Sequence, residues 1–282
     1  MLIAQITDVH LGFDRGNPRE NNRLRLEETL RALTAMSPRP DLLLVTGDLV
    51  EYADDAAGYA SVRDILAALP FPAFPALGNH DGRAAFAAAF PQVATTDGFV
   101  QYAIEDWPLR ILVLDTLEEK RHGGSFCEAR AAWLGERLAE APDRPTLIAL
   151  HHPPIESGLS WMTEDPDAAW VRRLERVVSA HRNVVAMVGG HLHRPIVTPW
   201  AGTAMIVCAA TAPQVALDLA PIDPERPDAR PMIVSEPPAY ALHLWNGRHL
   251  RTHFATAADH AVLARFGPEL QPLVRMLAAE KG

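Results

Sequence analysis

Five short apolar runs, each broken off by residues of metal-binding type, constrain this chain more than any other feature of its sequence. Ile6-Thr7 leads into Asp8-Val9-His10, and Leu44-Val45-Thr46 into Gly47-Asp48. Ala76-Leu77 leads into Gly78-Asn79-His80-Asp81, and Ala149-Leu150 into His151-His152. Met187-Val188 leads into Gly189-Gly190-His191-Leu192-His193. Runs this short and this apolar read as strands buried on both faces. Ligands of α/β sheets gather outside the carboxyl ends of strands. Five such ends side by side would bring together side chains scattered from Asp8 to His193.

The rest of the pattern supplies the layers around these strands. Residues 2–7, 42–46, 74–77, 110–115, 146–150 and 184–188 read as strands. Between them, apolar residues fall at helical spacing: Leu26, Leu30 and Leu33; Tyr59, Val62, Leu66 and Leu69; Trp133, Leu134 and Leu138; Trp170, Leu174, Val177 and Val178. The alternation predicts an α/β fold with largely parallel central strands. After about Ile196 the chain becomes strand-rich, at 203–207, 240–245 and 249–254. Residues 212–238 hold Pro213, Pro221, Pro224, Pro227, Pro231, Pro237 and Pro238, which excludes a helix and predicts a long arm. Residues 257–282 read as a helical tail, with Leu270, Leu273, Met276 and Leu277 on one side to pack on the core or on a partner subunit. The expected organisation is one domain over 1–256, including the arm, followed by the tail.

A net charge of −9 argues against duplex nucleic acid as a partner. A small anionic substrate is compatible with it, because bound divalent ions reverse the local sign of an acidic site. No apolar run approaches the ~18 residues of a membrane span. The start, Met1-Leu2-Ile3-Ala4-Gln5-Ile6, reads as a first strand and not as a signal peptide. Two cysteines, Cys127 and Cys208, suit reduced thiols in a cytoplasmic protein better than a disulfide scaffold.

The residue types at the five strand ends point to one chemistry. Asp, Asn and His supply oxygen and imidazole nitrogen without thiolate, which suits Mn, Fe or Zn and not a cysteine-based structural site. The spacing in Asp8-x-His10 and His191-x-His193 matches the period of two of an extended chain. Glycines before Asp48, Asn79 and His191 allow tight turns. Each piece alone is weak, since Gly-Asp is an ordinary turn. The ordered combination is specific.

That combination resembles the complete motif series of the calcineurin-like metallophosphoesterases, over roughly residues 1–210. Leu114-Asp115-Thr116, His151-His152-Pro153-Pro154 and Gly158-Leu159-Ser160-Trp161 are most similar to the bacterial class III cyclic nucleotide phosphodiesterases and their glycerophosphodiesterase relatives. The resemblance implies a four-layer α-β-β-α sandwich with two mixed sheets. It implies two metal ions, Mn and/or Fe before Zn, one held by Asp8, His10, Asp48 and His193 and the other by Asp48, Asn79, His151 and His191. His152 is the rival to His151. It further implies hydrolysis of a small phosphodiester, 3′,5′-cyclic AMP first, by attack of a hydroxide shared by the metals. Glycerophosphodiesters and phosphomonoesters are the alternatives, and a non-catalytic metal-binding scaffold is the alternative of another class. His80 is expected to be catalytic, facing the phosphate. Asp81 either orients His80 or caps a helix over 82–90. His122 and Trp161 lie in loops that could edge the site. A homo-oligomer, a dimer with the arm and the tail contributing to its interface, is expected; the alternative for the arm is a lid on its own active site.

Overall fold

The apolar runs form strands covered on both sides. The computed structural model describes residues 1–280. In its first sheet β1 (Leu2–Ile6), β2 (Leu42–Val45) and β3 (Ala73–Pro75) lie parallel. β12 (Ala239–Trp245) and β13 (Leu250–Thr256) extend this sheet antiparallel from the other edge of β1. The second sheet has the order β4 (Tyr102–Ile104), β5 (Arg110–Val113), β6 (Thr146–Ala149), β7 (Val184–Gly189), β9 (Thr203–Val207), β8 (Ile196–Trp200). Its four inner strands are parallel and its two edge strands antiparallel. Both sheets are therefore mixed. Within the arm, β10 (Gln214–Val215) and β11 (Ile233–Val234) pair as a small ribbon.

Alternation along the strands builds the sandwich. Ile111, Val113, Leu147, Ala149 and Val188 of the second sheet share one apolar cluster with Ile3, Leu43 and Val45 of the first. Their neighbours Leu112, Ile148 and Met187 turn the other way, against Leu134 of α4 (Glu128–Glu140) and Leu174 of α5 (Ala169–Ser179). Burial on both faces is why these strands carry no polar alternation. α1 (Asn21–Thr34) and α2 (Ala56–Ala67) contribute Leu26, Leu30, Leu33, Tyr59 and Val62 to the first cluster, and α3 (Arg83–Ala89) adds Phe86. The layers are helix, sheet, sheet, helix.

A buried polar stitch crosses the seam beneath the strand ends. Gln5 of β1 donates from Nε2 to Thr46 Oγ1 at 2.8 Å and to the carbonyl of Gly189, on the other sheet, at 2.9 Å. Its Oε1 lies 3.0 Å from His243 Nε2. Such a fully partnered network costs nothing in unsatisfied groups and fixes the register of the two sheets.

The tail departs from its expected form. Only α6 (Gln271–Ala279) is helical, and none of its residues is buried. Gly267-Pro268 interrupts the pattern ahead of it, since proline lacks the N–H a helix interior needs. Leu273, Met276 and Leu277 are exposed and do not pack on the core. Residues 281 and 282 of the expected tail lie outside the described residues. Among the described residues, no helix is long and apolar enough to cross a membrane.

Candidate metal centre

The strand ends do not continue as extended chain, which corrects the period-two reading of Asp8-x-His10 and His191-x-His193. β1 stops at Ile6 and β7 at Gly189. Asp8, His10, Asp48, His191 and His193 then adopt left-handed backbone, with φ of 52°, 49°, 51°, 70° and 52°. Asp and His tolerate this region better than most side chains, yet each such residue costs on the order of 1–3 kcal/mol. The surrounding backbone imposes it. Val9 and His10 N–H both donate to the Asp48 carbonyl at 2.8 and 2.9 Å, and Asp8 N–H donates to Gly47 O at 3.1 Å. His191 N–H donates to both Asp8 carboxylate oxygens at 3.1 and 3.0 Å. The left-handed steps fold each loop back so that alternate side chains converge.

Of the three glycines expected to make turns, only Gly47 does so by its φ of 97°. The other two are needed for closeness. A Cβ at Gly78 would lie 2.2 Å from Asp48 Oδ1, and one at Gly190 would lie 1.8 Å from Thr7 Oγ1. Gly78→Ala is therefore expected to displace the Asp48 carboxylate, leaving a folded protein with less bound metal and about 100-fold less activity, the cost of a misplacement near 1 Å. Elemental analysis beside circular dichroism checks this. A variant that keeps its full metal content would show that Asp48 can give way.

The seven residues assigned as ligands meet in two adjoining sets. In the first, His10 Nε2 lies 3.3 Å from His193 Nε2 and 3.5 Å from Asp48 Oδ2, and His193 Nε2 lies 3.3 Å from Asp8 Oδ1. In the second, His151 Nε2 lies 3.3 Å from Asp48 Oδ2 and 3.1 Å from Asn79 Oδ1, with His191 Nδ1 3.0 Å from the same Asn79 oxygen. Asp48 touches both sets. The outer nitrogens fix the tautomers. His151 Nδ1 donates to Thr46 O and His193 Nδ1 to Pro213 O, each at 2.8 Å, and His10 Nδ1 faces Glu51 Oε2 at 2.8 Å. A carbonyl can only accept, so each neutral ring turns its Nε2 lone pair inward. Imidazole nitrogens and carboxylate oxygens thus crowd together, and once the rings are deprotonated such a donor set fits cations.

The titration behaviour agrees. Burial works to raise the Asp48 carboxyl, but His151 and then His10 hold it well below the ordinary carboxylate range. Asp8 is likewise lowered against burial, by His193 and His151. Burial opposes charge on His151, yet Asp48 and Asp8 lift it to about 9. Asp8 raises His193 in the same way. Metal ions entering here would replace those protons and release them. His191 and His152 are pushed well below their usual value by burial and by neighbouring histidines. Both ring nitrogens of His152 are engaged, by Thr116 Oγ1 at 2.8 Å and by the His122 carbonyl at 3.1 Å. The geometry therefore leaves His151, and not His152, facing Asp48.

His80 stands beside these sets. Its backbone N–H donates to Asp48 Oδ1 at 2.8 Å, its ring meets His10 edge-on at 4.6 Å, and Nδ1 donates to the Glu51 carbonyl at 3.0 Å. His80 lines the adjoining cavity, and one of its ring nitrogens lies within 4.8 Å of ligand atoms of His10 and Asp48. Asp81 does not orient His80. Its buried carboxylate accepts from Gly78 N–H at 2.8 Å, from Leu49 N–H at 3.2 Å and from Tyr59 OH at 3.0 Å. It does not cap α3 either, whose N-cap is Gly82. The turn from Gly78 to Asp81 curls the carboxylate back onto backbone, where it braces the Asp48 loop. Burial and then the nearby Asp48 raise it to about 7. His122 lies over the second set, its ring 4.7 Å from His191. Arg15 lies over Tyr52 and pairs with Asp54, and Asn17 donates to Asp14. Glu51 belongs to no motif of the sequence; its only signal there is an acid three residues after Asp48.

Comparison with known proteins identifies the family. The model of the calcineurin-like phosphoesterase family matches residues 1–195. A probable cyclic nucleotide phosphodiesterase of Rhodopseudomonas palustris is 40% identical over 231 residues, 78% of this chain and 81% of that one. A probable glycerophosphodiester phosphodiesterase of Arcobacter nitrofigilis is 29% identical over 259 residues, 90% and 92% of the two chains. Among solved structures, a dimetal phosphatase from Danio rerio shares the fold, with a TM-score of 0.60 at 14% identity, over 92% of this chain and 99% of that one. With the family model spanning the strand ends that carry Asp8, Asp48, Asn79, His151, His191 and His193, this chain belongs to the calcineurin-like phosphoesterase family.

Proposed function

We propose that this protein is a metal-dependent phosphodiesterase that prefers 3′,5′-cyclic nucleotides, cyclic AMP first. The observation that carries the reading is the pair of donor sets sharing Asp48. The proposed ligands are Asp8, His10, Asp48 and His193 for one ion and Asp48, Asn79, His151 and His191 for the other. Two divalent ions, when bound, polarise phosphate oxygens and activate water at neutral pH. The oxygen and imidazole donors suit Mn and/or Fe, with Zn as the other fit. His80 Nε2 is the protein's own donor, placed to stabilise charge on the phosphate or to protonate the leaving oxygen. The 40% identical relative supports the cyclic nucleotide preference. The Arcobacter relative, similar along 90% of the chain, supports glycerophosphodiesters as the second reading.

A substrate panel tests this on manganese-loaded protein. The expected order of kcat/KM is cyclic AMP, then glycerophosphodiesters, then p-nitrophenyl phosphate. A preference for the monoester would overturn the diesterase reading, and absence of turnover with two metals bound would favour the scaffold. The reading includes a homo-oligomer, supported by the exposed apolar Leu273, Val274, Met276 and Leu277 of α6. A strictly monomeric mass by light scattering would refute that part. It also includes a cytoplasmic site of action, supported by Cys127 and Cys208 being free thiols.

A further inference from the structure

The cavity beside the metal centre is lined by two unlike kinds of side chain. Its volume is about 500 Å³, within the roughly 300–1,000 Å³ of small-ligand clefts. His10, His80, His122 and His193 line it with the acids Asp14, Glu20 and Glu51, and Phe13, Trp161, Met162, Val215 and Ile233 add an apolar set. The apolar residues come from separate segments, and each segment is pinned. Phe13 lies between Gly12 and Asp14, whose N–H groups donate to the buried Glu20 carboxylate at 2.6 and 3.0 Å. Trp161 packs on the apolar cluster of the second sheet, and Ser160 Oγ before it accepts from Ile222 N–H of the arm at 3.1 Å. Val215 and Ile233 face each other across the β10–β11 ladder. Arg194 fastens that ladder, donating to the Val215 carbonyl and to both Glu236 carboxylate oxygens.

Phe13 is 66% exposed and Ile233 is 54% exposed. Braced apolar side chains left wet beside a polar site mark a ligand surface, because covering them is favourable. The hydroxyls of a glycerol would gain nothing there. A heteroaromatic base would, since every base offers a flat face to aromatic and branched side chains.

We propose that this wall is a nucleobase slot. Phe13, Trp161 and Ile233 hold the base of a nucleotide whose phosphate lies against the histidines of the metal centre. The proposal rests on the phosphodiesterase reading and adds the determinant of its specificity. It gives the arm over 212–238 a role within its own subunit, as one side of the slot.

The test is calorimetric binding of adenosine 5′-monophosphate and of ribose 5-phosphate to the manganese-loaded protein. The two ligands share the phosphate and differ by the base. The wild type is expected to bind the nucleotide at least about tenfold more tightly, the scale of one base stacked on an aromatic side chain. Phe13→Ala and Trp161→Ala are expected to bring the ratio of the two affinities towards one, while Trp161→Phe keeps it. Phe13 is exposed, so its variant reads the slot even where loss of Trp161 disturbs packing. A wild-type ratio near one, no binding of the nucleotide, or a ratio unchanged by Phe13→Ala overturns the slot. Because binding is measured without turnover, a protein that binds the nucleotide but hydrolyses no diester would instead overturn the proposed reaction.

Discussion

Asp48→Asn strips metal from the protein and removes its activity. The expectation follows from the position of this carboxylate, 3.5 Å from His10 Nε2 in one donor set and 3.3 Å from His151 Nε2 in the other. Asparagine keeps the shape and one acceptor oxygen but removes the charge that two cations would share. Loss of a residue that merely supports a ligand costs roughly 10–100-fold in metal affinity or activity, and loss of a shared ligand should exceed that. The same side chain accepts from His80 N–H, so the turn that carries Asn79 loses an anchor as well. Elemental analysis and cyclic AMP hydrolysis measured on one preparation decide the matter. Two metals retained at near-normal turnover would sink the bridging role.

His80→Ala is expected to do the opposite to metal and the same to rate. The ring contacts His10 and the Glu51 carbonyl through Nδ1 and lines the cavity. Removing one donor aimed at charge that develops in the transition state costs on the order of 10²–10³ in kcat. Metal content should stay at the wild-type value, because the donor sets close without it. If metal falls together with rate, His80 is a ligand and the division of labour proposed for the two neighbours Asn79 and His80 fails.

The strands were legible because burial on both faces writes a continuous apolar run, and Leu42–Val45 or Thr146–Ala149 cannot easily be read otherwise. The meeting of the site residues was legible because polar residues directly after such runs collect at the carboxyl ends of the strands, although those strands prove to belong to two sheets and not one. Their backbone was not legible. Left-handed φ at Asp8, His10, Asp48, His191 and His193 is imposed by hydrogen bonds between loops far apart in sequence. Glu51 escaped for a similar reason, since an isolated acid gains meaning only from the His10 ring beside it. Asp81 was misread because the sequence places it next to His80, whereas the turn points it at Gly78, Leu49 and Tyr59. β4, of three residues, and β8, which carries Pro199, are edge strands too short or too irregular to show a period. The tail failed on composition: residues that favour a helix surround Gly267-Pro268, which does not.

The two halves of the sandwich contribute unequally to the metal centre, and this has a thermodynamic meaning. Asp8, His10, Asp48 and Asn79 follow strands of the first sheet, whereas His151, His191 and His193 follow strands of the second. Ions bound among them would act as rivets through the seam that Gln5 spans below. The sheets could then not part without surrendering the ions, so metal affinity and the work of separating the sheets would be one linked quantity. Each tenfold rise in free ion above its dissociation constant would add about 1.4 kcal/mol to the folded state for every site filled. The strain of the left-handed loops would be borne by the assembled, metal-loaded sandwich and relaxed only when it opens. Scarcity of the ion would loosen the protein along this seam, making its lifetime in a cell a function of metal supply.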